Sequence, residues 1–146
     1  MDKGAKILIV DDDENIRKTV KAILEDEGFI VDLAASGKEA IQKTRETMYN
    51  LALLDIRLPD MEGVELLKLM KDGVPRTRKI MVTGYPSMQN AISAVNKNAD
   101  AFLVKPVDIE KLLDTVKVQL RLQEEERKFS EEKVAEFIES RVKEIK

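Results

Sequence analysis

The chain has 146 residues with 25 Lys+Arg against 28 Asp+Glu, and it contains no Cys, His or Trp. One ordinary domain fits that length and can bury a core without disulfide staples. The missing residue types exclude thiolate and imidazole metal sites, serine–histidine triads and histidine bases from this polypeptide alone. A formal net charge of −3 supplies no positive field for nucleic acid, so direct nucleic-acid binding is not expected. Apolar runs such as Ile7 to Val10 and Leu51 to Leu54 are four residues long, far short of a membrane span. The opening Met1-Asp2-Lys3-Gly4 lacks a signal peptide's apolar centre, so a cytoplasmic protein without membrane contact is expected.

Lys6 to Val10 reads as a buried strand stopped by acids, and Asp13 as the cap of a helix. That helix carries Ile16, Val20, Ile23 and Leu24 at helical spacing, and Gly28 supplies its left-handed stop. Phe29 to Leu33 is the second strand. Ser36 and Glu39 form a capping box for a helix reaching about Thr47, with Ala40, Ile41 and Thr44 on one side. Leu51 to Ile56 is the third strand, and the turn-rich stretch Arg57 to Gly63 leads into a helical period (Val64, Leu67 and Met70 or Lys71) up to Gly73. Lys79 to Thr83 is the fourth strand. Ser87 caps a helix with Ala91, Ile92 and Val95 inward, Ala101 to Lys105 is the fifth strand, and Pro106 ends it. Strands alternating with helices at this spacing predict an α/β fold: a doubly wound, five-stranded parallel sheet with right-handed crossovers.

No Gly or Pro occurs after Pro106, which predicts an extended C-terminal helix. Its first part has a stripe of Ile109, Leu113, Val116 and Leu120, whereas Gln123 to Lys128 is polar all round and is expected to leave the core. A second stripe, Val134, Ile138, Val142 and Ile145, wants a partner surface or a coiled-coil mate. With 7 basic and 8 acidic side chains from residue 121 onward, the same tail also reads as a solvated charged linker.

In an open parallel sheet the carboxyl ends of the strands share one edge, where ligands bind. Asp11 and Asp12 end the first strand, Asp55 the third, Thr83 the fourth and Lys105 the fifth. Three converging carboxylates repel one another, and a hard divalent cation such as Mg²⁺ would relieve that. Lys105 and Thr83 offer an ammonium and a hydroxyl to phosphoryl oxygens. Singly, each residue also reads as a cap, a turn residue or a surface lysine; the set at successive strand ends is what points to phosphate chemistry.

Val10-Asp11-Asp12-Asp13, Leu54-Asp55-Ile56-Arg57-Leu58-Pro59-Asp60-Met61-Glu62-Gly63, Val82-Thr83-Gly84 and Val104-Lys105-Pro106 together resemble the receiver domain of two-component response regulators. The resemblance covers about residues 4 to 121, giving a receiver domain over 1–121 and a charged helical extension over 122–146. It implies a flavodoxin-like, CheY-like sheet of order 2-1-3-4-5 and Mg²⁺-dependent phosphorylation of Asp55. Asp12 would bind Mg²⁺ directly and Asp11 largely through water, with Asp55 and the backbone carbonyl of Arg57 completing the protein ligands. Lys105 would neutralise charge on the phosphoryl group, the Lys105-Pro106 peptide is expected to be cis, and Pro59 and Gly63 would shape the adjoining loop. Thr83 and Phe102 would form the switch, Phe102 reading otherwise as a plain core aromatic. The donor would be a sensor histidine kinase or phosphotransfer protein, since a chain without histidine cannot be the phosphohistidine donor. Bulky Arg57 and Tyr85 beside the site imply an acyl phosphate lasting minutes or longer.

The resemblance implies a self-phosphorylating and autodephosphorylating phosphoacceptor rather than a turnover enzyme. Its output would be protein association, including a homodimer through the face of the Ser87-capped helix, fifth strand and last helix, or through the C-terminal helix. The chain also reads as the N-terminal piece of a longer regulator whose effector domain is missing here. An aspartyl-phosphate phosphatase or phosphotransferase is the alternative from another class; haloacid-dehalogenase-like enzymes carry an acid two residues after the nucleophile, where this chain has Arg57. A pseudo-receiver typically lacks one of the acids or the lysine, all present here. A mononucleotide binder would need Gly, Ser or Thr where Asp11 to Asp13 stand.

Overall fold

Buried apolar runs and helical stripes alternate along the chain, and the computed structural model resolves them into a single sheet with helices on both faces; it describes residues 4–70, 73, 75–84 and 99–145. The order is β1 (Lys6–Val10), α1 (Glu14–Asp26), β2 (Ile30–Ala34), α2 (Gly37–Glu46), β3 (Leu51–Asp55), α3 (Gly63–Leu69), β4 (Arg78–Thr83), β5 (Ala101–Val104) and α4 (Ile109–Ile145). The predicted helix with Ser87, Ala91, Ile92 and Val95 lies outside the described residues, as does Tyr85. All strand pairs are parallel, in the order β2-β1-β3-β4-β5. No helix among the described residues is long and apolar enough to cross a membrane.

Period-two alternation decides which face each strand residue covers. Ile7, Ile9, Leu51, Leu53, Ile80 and Leu103 pack with Leu24 of α1 and with Leu112, Val116 and Leu120 of α4. Leu8, Val10, Ala52, Leu54 and Met81 pack with Ala40 of α2 and with Leu66 and Leu67 of α3. Central β3 is buried at every position, so its continuous apolar run follows from being covered on both sides. Each fully buried Leu or Ile contributes about 2 kcal/mol to that burial.

Local chemistry sets the helix ends. The Asp13 carboxylate accepts from Asn15 N at 2.9 Å and Ile16 N at 3.2 Å, which starts α1. Gly28, at φ 96°, closes it in the left-handed region. Ser36 Oγ accepts from Glu39 N at 3.2 Å, while Glu39 reaches the N–H of Ala35 at 3.1 Å, one residue earlier than a capping box requires. Helix α3 ends at Leu69 rather than near Gly73, because Met70 has already turned to extended backbone.

Two expectations for the last helix need correction. Its buried stripe runs through Leu112, Val116, Gln119, Leu120 and Gln123, whereas Ile109 is 53% exposed. Ile109 is the first helical residue and borders an open cleft. Nor does the helix leave the core at Gln123. That amide is buried and fully used: Nε2 donates to Asn50 O at 2.8 Å and Arg76 O at 2.9 Å, and Oε1 accepts from Asn50 Nδ2 at 3.0 Å. A polar side chain can occupy a core position when its partners are backbone carbonyls already at the sheet edge. Beyond it, Val134, Phe137, Ile138 and Val142 are exposed.

A charged network continues this anchorage. Asp100, just before β5, takes both terminal nitrogens of Arg76, accepts from Lys79 N at 2.8 Å and lies 3.4 Å from Arg78 Nη1. Arg78 Nη2 donates to Glu126 Oε2 of α4 at 2.7 Å. Burial pushes the Asp100 carboxyl up, but Arg76, the Lys79 N–H and Arg78 outweigh it and hold it below the usual carboxylate range. Because the folded-state value is depressed, this stabilisation is complete above the unfolded value near 4 and is lost as the pH falls through the lower folded value. Asp100→Asn is therefore expected to lose about 2 kcal/mol at pH 7. Urea unfolding of parent and variant should show that gap closing in acid.

Candidate functional site

The strand order reverses at β1, with β2 on one side and β3 on the other, so a crevice opens at the carboxyl ends of β1 and β3. Asp11 follows β1, Asp55 is the last residue of β3, Thr83 the last of β4, and Lys105 follows β5 by one residue. Asp55 pairs in register with Val82, which puts Thr83 one step further along the same edge. Asp11, Asp55 and Thr83 are buried and Asp12 is exposed. The fold thus brings the acids, threonine and lysine predicted from strand ends to one edge.

The Lys105 ammonium sits between two carboxylates, 3.1 Å from Asp11 Oδ2 and 3.2 Å from Asp55 Oδ2. One carboxylate oxygen from each of Asp11, Asp12 and Asp55 lies within 4.8 Å of the others. Three carboxylates therefore face one ammonium. Burial, and then the charge of Asp11, push the Asp55 carboxyl up against the opposing pull of Lys105 and the Arg57 N–H. Burial disfavours the Lys105 ammonium, yet Asp11 and Asp55 more than compensate, so its affinity for the proton rises. Lys105 therefore remains a cation between the two carboxylates.

Backbone contacts hold these groups in place. Asp11 Oδ1 accepts from Asp13 N at 2.9 Å, and Arg17 of α1 donates to the Asp11 carbonyl at 2.7 Å. Lys105 N donates to Thr83 O at 2.7 Å, tying β5 to β4 beside the site, and the Lys105-Pro106 peptide is cis. Asp55 Oδ1 lies 3.4 Å from Arg57 N. Gly63 N donates to Ile56 O at 2.6 Å, and a Cβ on Gly63 would lie 2.3 Å from the Asp55 carbonyl. Pro59 is exposed on the loop and Pro106 on the other rim. Phe102, opposite Met81 in the β4–β5 register, is half-buried against the core on the α2 and α3 face. A cleft of about 630 Å³ opens between α1 and α4, lined by Ile16, Val20 and Leu112 and reaching Asp11, Asp55 and Lys105 at one end.

Sequence reasoning missed Arg17 and Asp60. Asp60 bonds to α2, 22 and 23 positions earlier, and nothing local in the sequence marks that contact.

The fold is an open parallel α/β sheet with an acid cluster and a lysine at its switch point. A family model for the response regulator receiver domain matches residues 7–117, and the chain belongs to that family. It is similar to a CheY-like response regulator receiver domain protein from Methanospirillum hungatei, with 47% identity and a TM-score of 0.78 over 85% of this chain and 99% of that one. It is similar also to NtrX from Brucella abortus, with 30% identity and a TM-score of 0.79 over 87% of this chain and 29% of that one. Among curated relatives, the transcriptional regulatory protein ZraR of Klebsiella oxytoca is 39% identical over 106 residues, 73% of this chain. The response regulator ArlR of Staphylococcus saprophyticus is 34% identical over 118 residues, 81% of this chain. The chain spans 24% of the length of that ZraR and 53% of that ArlR.

Proposed function

We propose that this receiver accepts a phosphoryl group on Asp55 from the phosphohistidine of a sensor kinase or phosphotransfer protein, and that the modification switches its protein contacts. The observation that carries this reading is the Lys105 ammonium held between Asp11 and Asp55 at the sheet's switch point. An Asp55 carboxylate oxygen forms the new bond to phosphorus while the bond from phosphorus to the donor's imidazole nitrogen breaks, and that nitrogen keeps the electron pair.

The carboxylates of Asp11, Asp12 and Asp55 are the hard oxygen donors Mg²⁺ prefers, and their spacing suits one small cation with the Arg57 carbonyl as a further ligand. Bound there, Mg²⁺ would supply charge neutralisation between the carboxylates and the phosphoryl oxygens. Lys105 adds a second cationic contact to those oxygens, and Thr83 offers its hydroxyl. Movement of Thr83 toward the phosphoryl group and an inward turn of Phe102 would carry the signal to the surface around β5 and α4. A cytoplasmic setting goes with this reading. Intact mass after incubation with acetyl phosphate tests it: a gain of one phosphoryl group with Mg²⁺, and none with a chelator. No gain in either condition would sink the proposal.

The exposed stripe of Val134, Phe137, Ile138 and Val142 supports association with a second copy through the distal part of α4. With 7 basic and 8 acidic side chains from residue 121 onward, this segment carries almost no net charge to oppose pairing with itself. Because Gln123 and Glu126 anchor the helix to the sheet, a truncation that tests pairing should end after Lys128. Light scattering is expected to show the full chain as a dimer and the truncated chain as a monomer with an unchanged melting temperature. A monomeric full chain would refute pairing through this segment.

A further inference from the structure

The loop from Arg57 to Glu62 carries the backbone that the receiver reading makes a cation ligand, so its position sets the quality of the site. Part of that position is local. Arg57 and Glu62 form an antiparallel bridge, Leu58 N donates to Met61 O at 3.1 Å, and Gly63 N donates to Ile56 O. These bonds shape the loop and close it onto the end of β3, but none of them reaches α2.

Asp60 does. Its Oδ1 accepts from Gly37 N at 2.8 Å and its Oδ2 from Lys38 N at 2.9 Å, so one carboxylate spans the first two amides of α2. These are N–H groups the helix itself cannot satisfy; Ser36 Oγ takes the third, from Glu39. Negative charge at a helix N-terminus is favoured by the aligned peptide dipoles as well. A second contact reinforces the first. Met61 lies over the Gly37 Cα, where an added Cβ would come within 2.4 Å of its sulfur. The loop is thus fastened to α2 at two adjacent residues, by charge and by packing.

We propose that Asp60 is a positioning residue for the Mg²⁺ site, fastening the Arg57–Glu62 loop to the N-terminus of α2 so that the loop backbone stays where the cation needs it. This rests on the reading of Asp11, Asp12, Asp55 and the Arg57 carbonyl as the ligand set. Mg²⁺ tolerates little departure from octahedral geometry, so a loop free to rock weakens binding before it harms the fold. Asp60 is exposed, and water can replace it at the two amides, which keeps the cost to α2 itself near that of losing an ordinary cap.

The test is a Mg²⁺ titration of parent, Asp60→Asn and Asp60→Ala, followed by backbone amide shifts, with melting temperatures and phosphorylation rates at saturating Mg²⁺ measured alongside. In Asp60→Ala the amides of Gly37 and Lys38 should shift, the Mg²⁺ dissociation constant should rise by about threefold or more, and the saturated rate should stay within about twofold of the parent. Asp60→Asn, which keeps one acceptor oxygen, should fall between the two. A dissociation constant that rises by less overturns the proposal. So does a saturated rate that falls along with affinity, because the clamp would then serve the site's fold as a whole. A parent chain that binds no Mg²⁺ would instead overturn the ligand set beneath it, an outcome distinct from a parent that binds normally and a variant that matches it.

Discussion

Asp55→Asn is expected to gain no phosphoryl group from acetyl phosphate at any Mg²⁺ concentration, and to melt at a higher temperature than the parent in metal-free buffer. The first result follows from chemistry, since an amide oxygen at that position is no nucleophile toward phosphorus and leaves no acyl phosphate. Every other group named at the site can assist transfer, but none replaces the carboxylate. A phosphoryl gain that survives the substitution would move the acceptor elsewhere.

The second result follows from electrostatics. Burial and Asp11 raise the Asp55 carboxyl above its ordinary value, so the ionised form is carried at a cost in the folded state. A carboxyl whose folded value is raised takes stability away above its unfolded value, and that loss is relieved as the pH falls through the folded value. Asparagine removes the charge and leaves Lys105 paired with Asp11. The melting temperature should rise by roughly 3 °C, the effect of about 1 kcal/mol in a domain of this size. The gap should narrow in acid, and narrow again when Mg²⁺ is added, because a cation that binds the folded parent raises its stability by mass action. A variant less stable than the parent at neutral pH without metal would show that Asp55 is stabilised where it sits.

The edge that carries the candidate site was legible because each of its residues stands at the end of a β-branched or Leu-rich run. A parallel sheet must bring those ends together whatever the intervening loops do. Asp11, Asp55, Thr83 and Lys105 could be placed from that rule alone, and the strand order followed from the family resemblance. The rim of the core was less legible. Gln119 and Gln123 are buried although periodicity counts them as polar; the Gln123 amide is held by the Asn50 and Arg76 carbonyls and the Asn50 side chain, partners on other elements that no local pattern encodes. Leu112 takes the place expected for Ile109, since which residue opens the stripe depends on where the helix meets the sheet. Asp60 is hidden for a related reason. Its partners are two backbone amides on another element, so the sequence around it reads only as a turn.

Gly63→Ala should be the most damaging small substitution near the site, even though the new side chain is a single methyl group. Gly63 opens α3 directly beneath the strand end that carries Asp55, and its N–H bonds the Ile56 carbonyl at 2.6 Å. A Cβ there would stand 2.3 Å from the Asp55 carbonyl oxygen, 2.8 Å from Met81 Cε and 3.0 Å from Ile56 Cα. Met81 can move its terminal methyl. The two main-chain atoms cannot yield without shifting the end of β3, where Leu54 pairs with Val10 of β1 and Asp55 with Val82 of β4. Such overpacking against backbone is expected to cost about 3 kcal/mol, or roughly 10 °C in melting temperature. The shift would also carry Asp55 away from Lys105 and Asp11, so Mg²⁺-dependent phosphorylation should fall in the fraction that remains folded. Gly84→Ala provides the contrast. Gly84 follows Thr83 on the same edge and has nothing within 4 Å of its added Cβ, so its stability should stay within about 0.5 kcal/mol of the parent. Equal melting temperatures for the two variants would mean that the close approach at Gly63 relaxes freely, and that the end of β3 is softer than its hydrogen bonding implies.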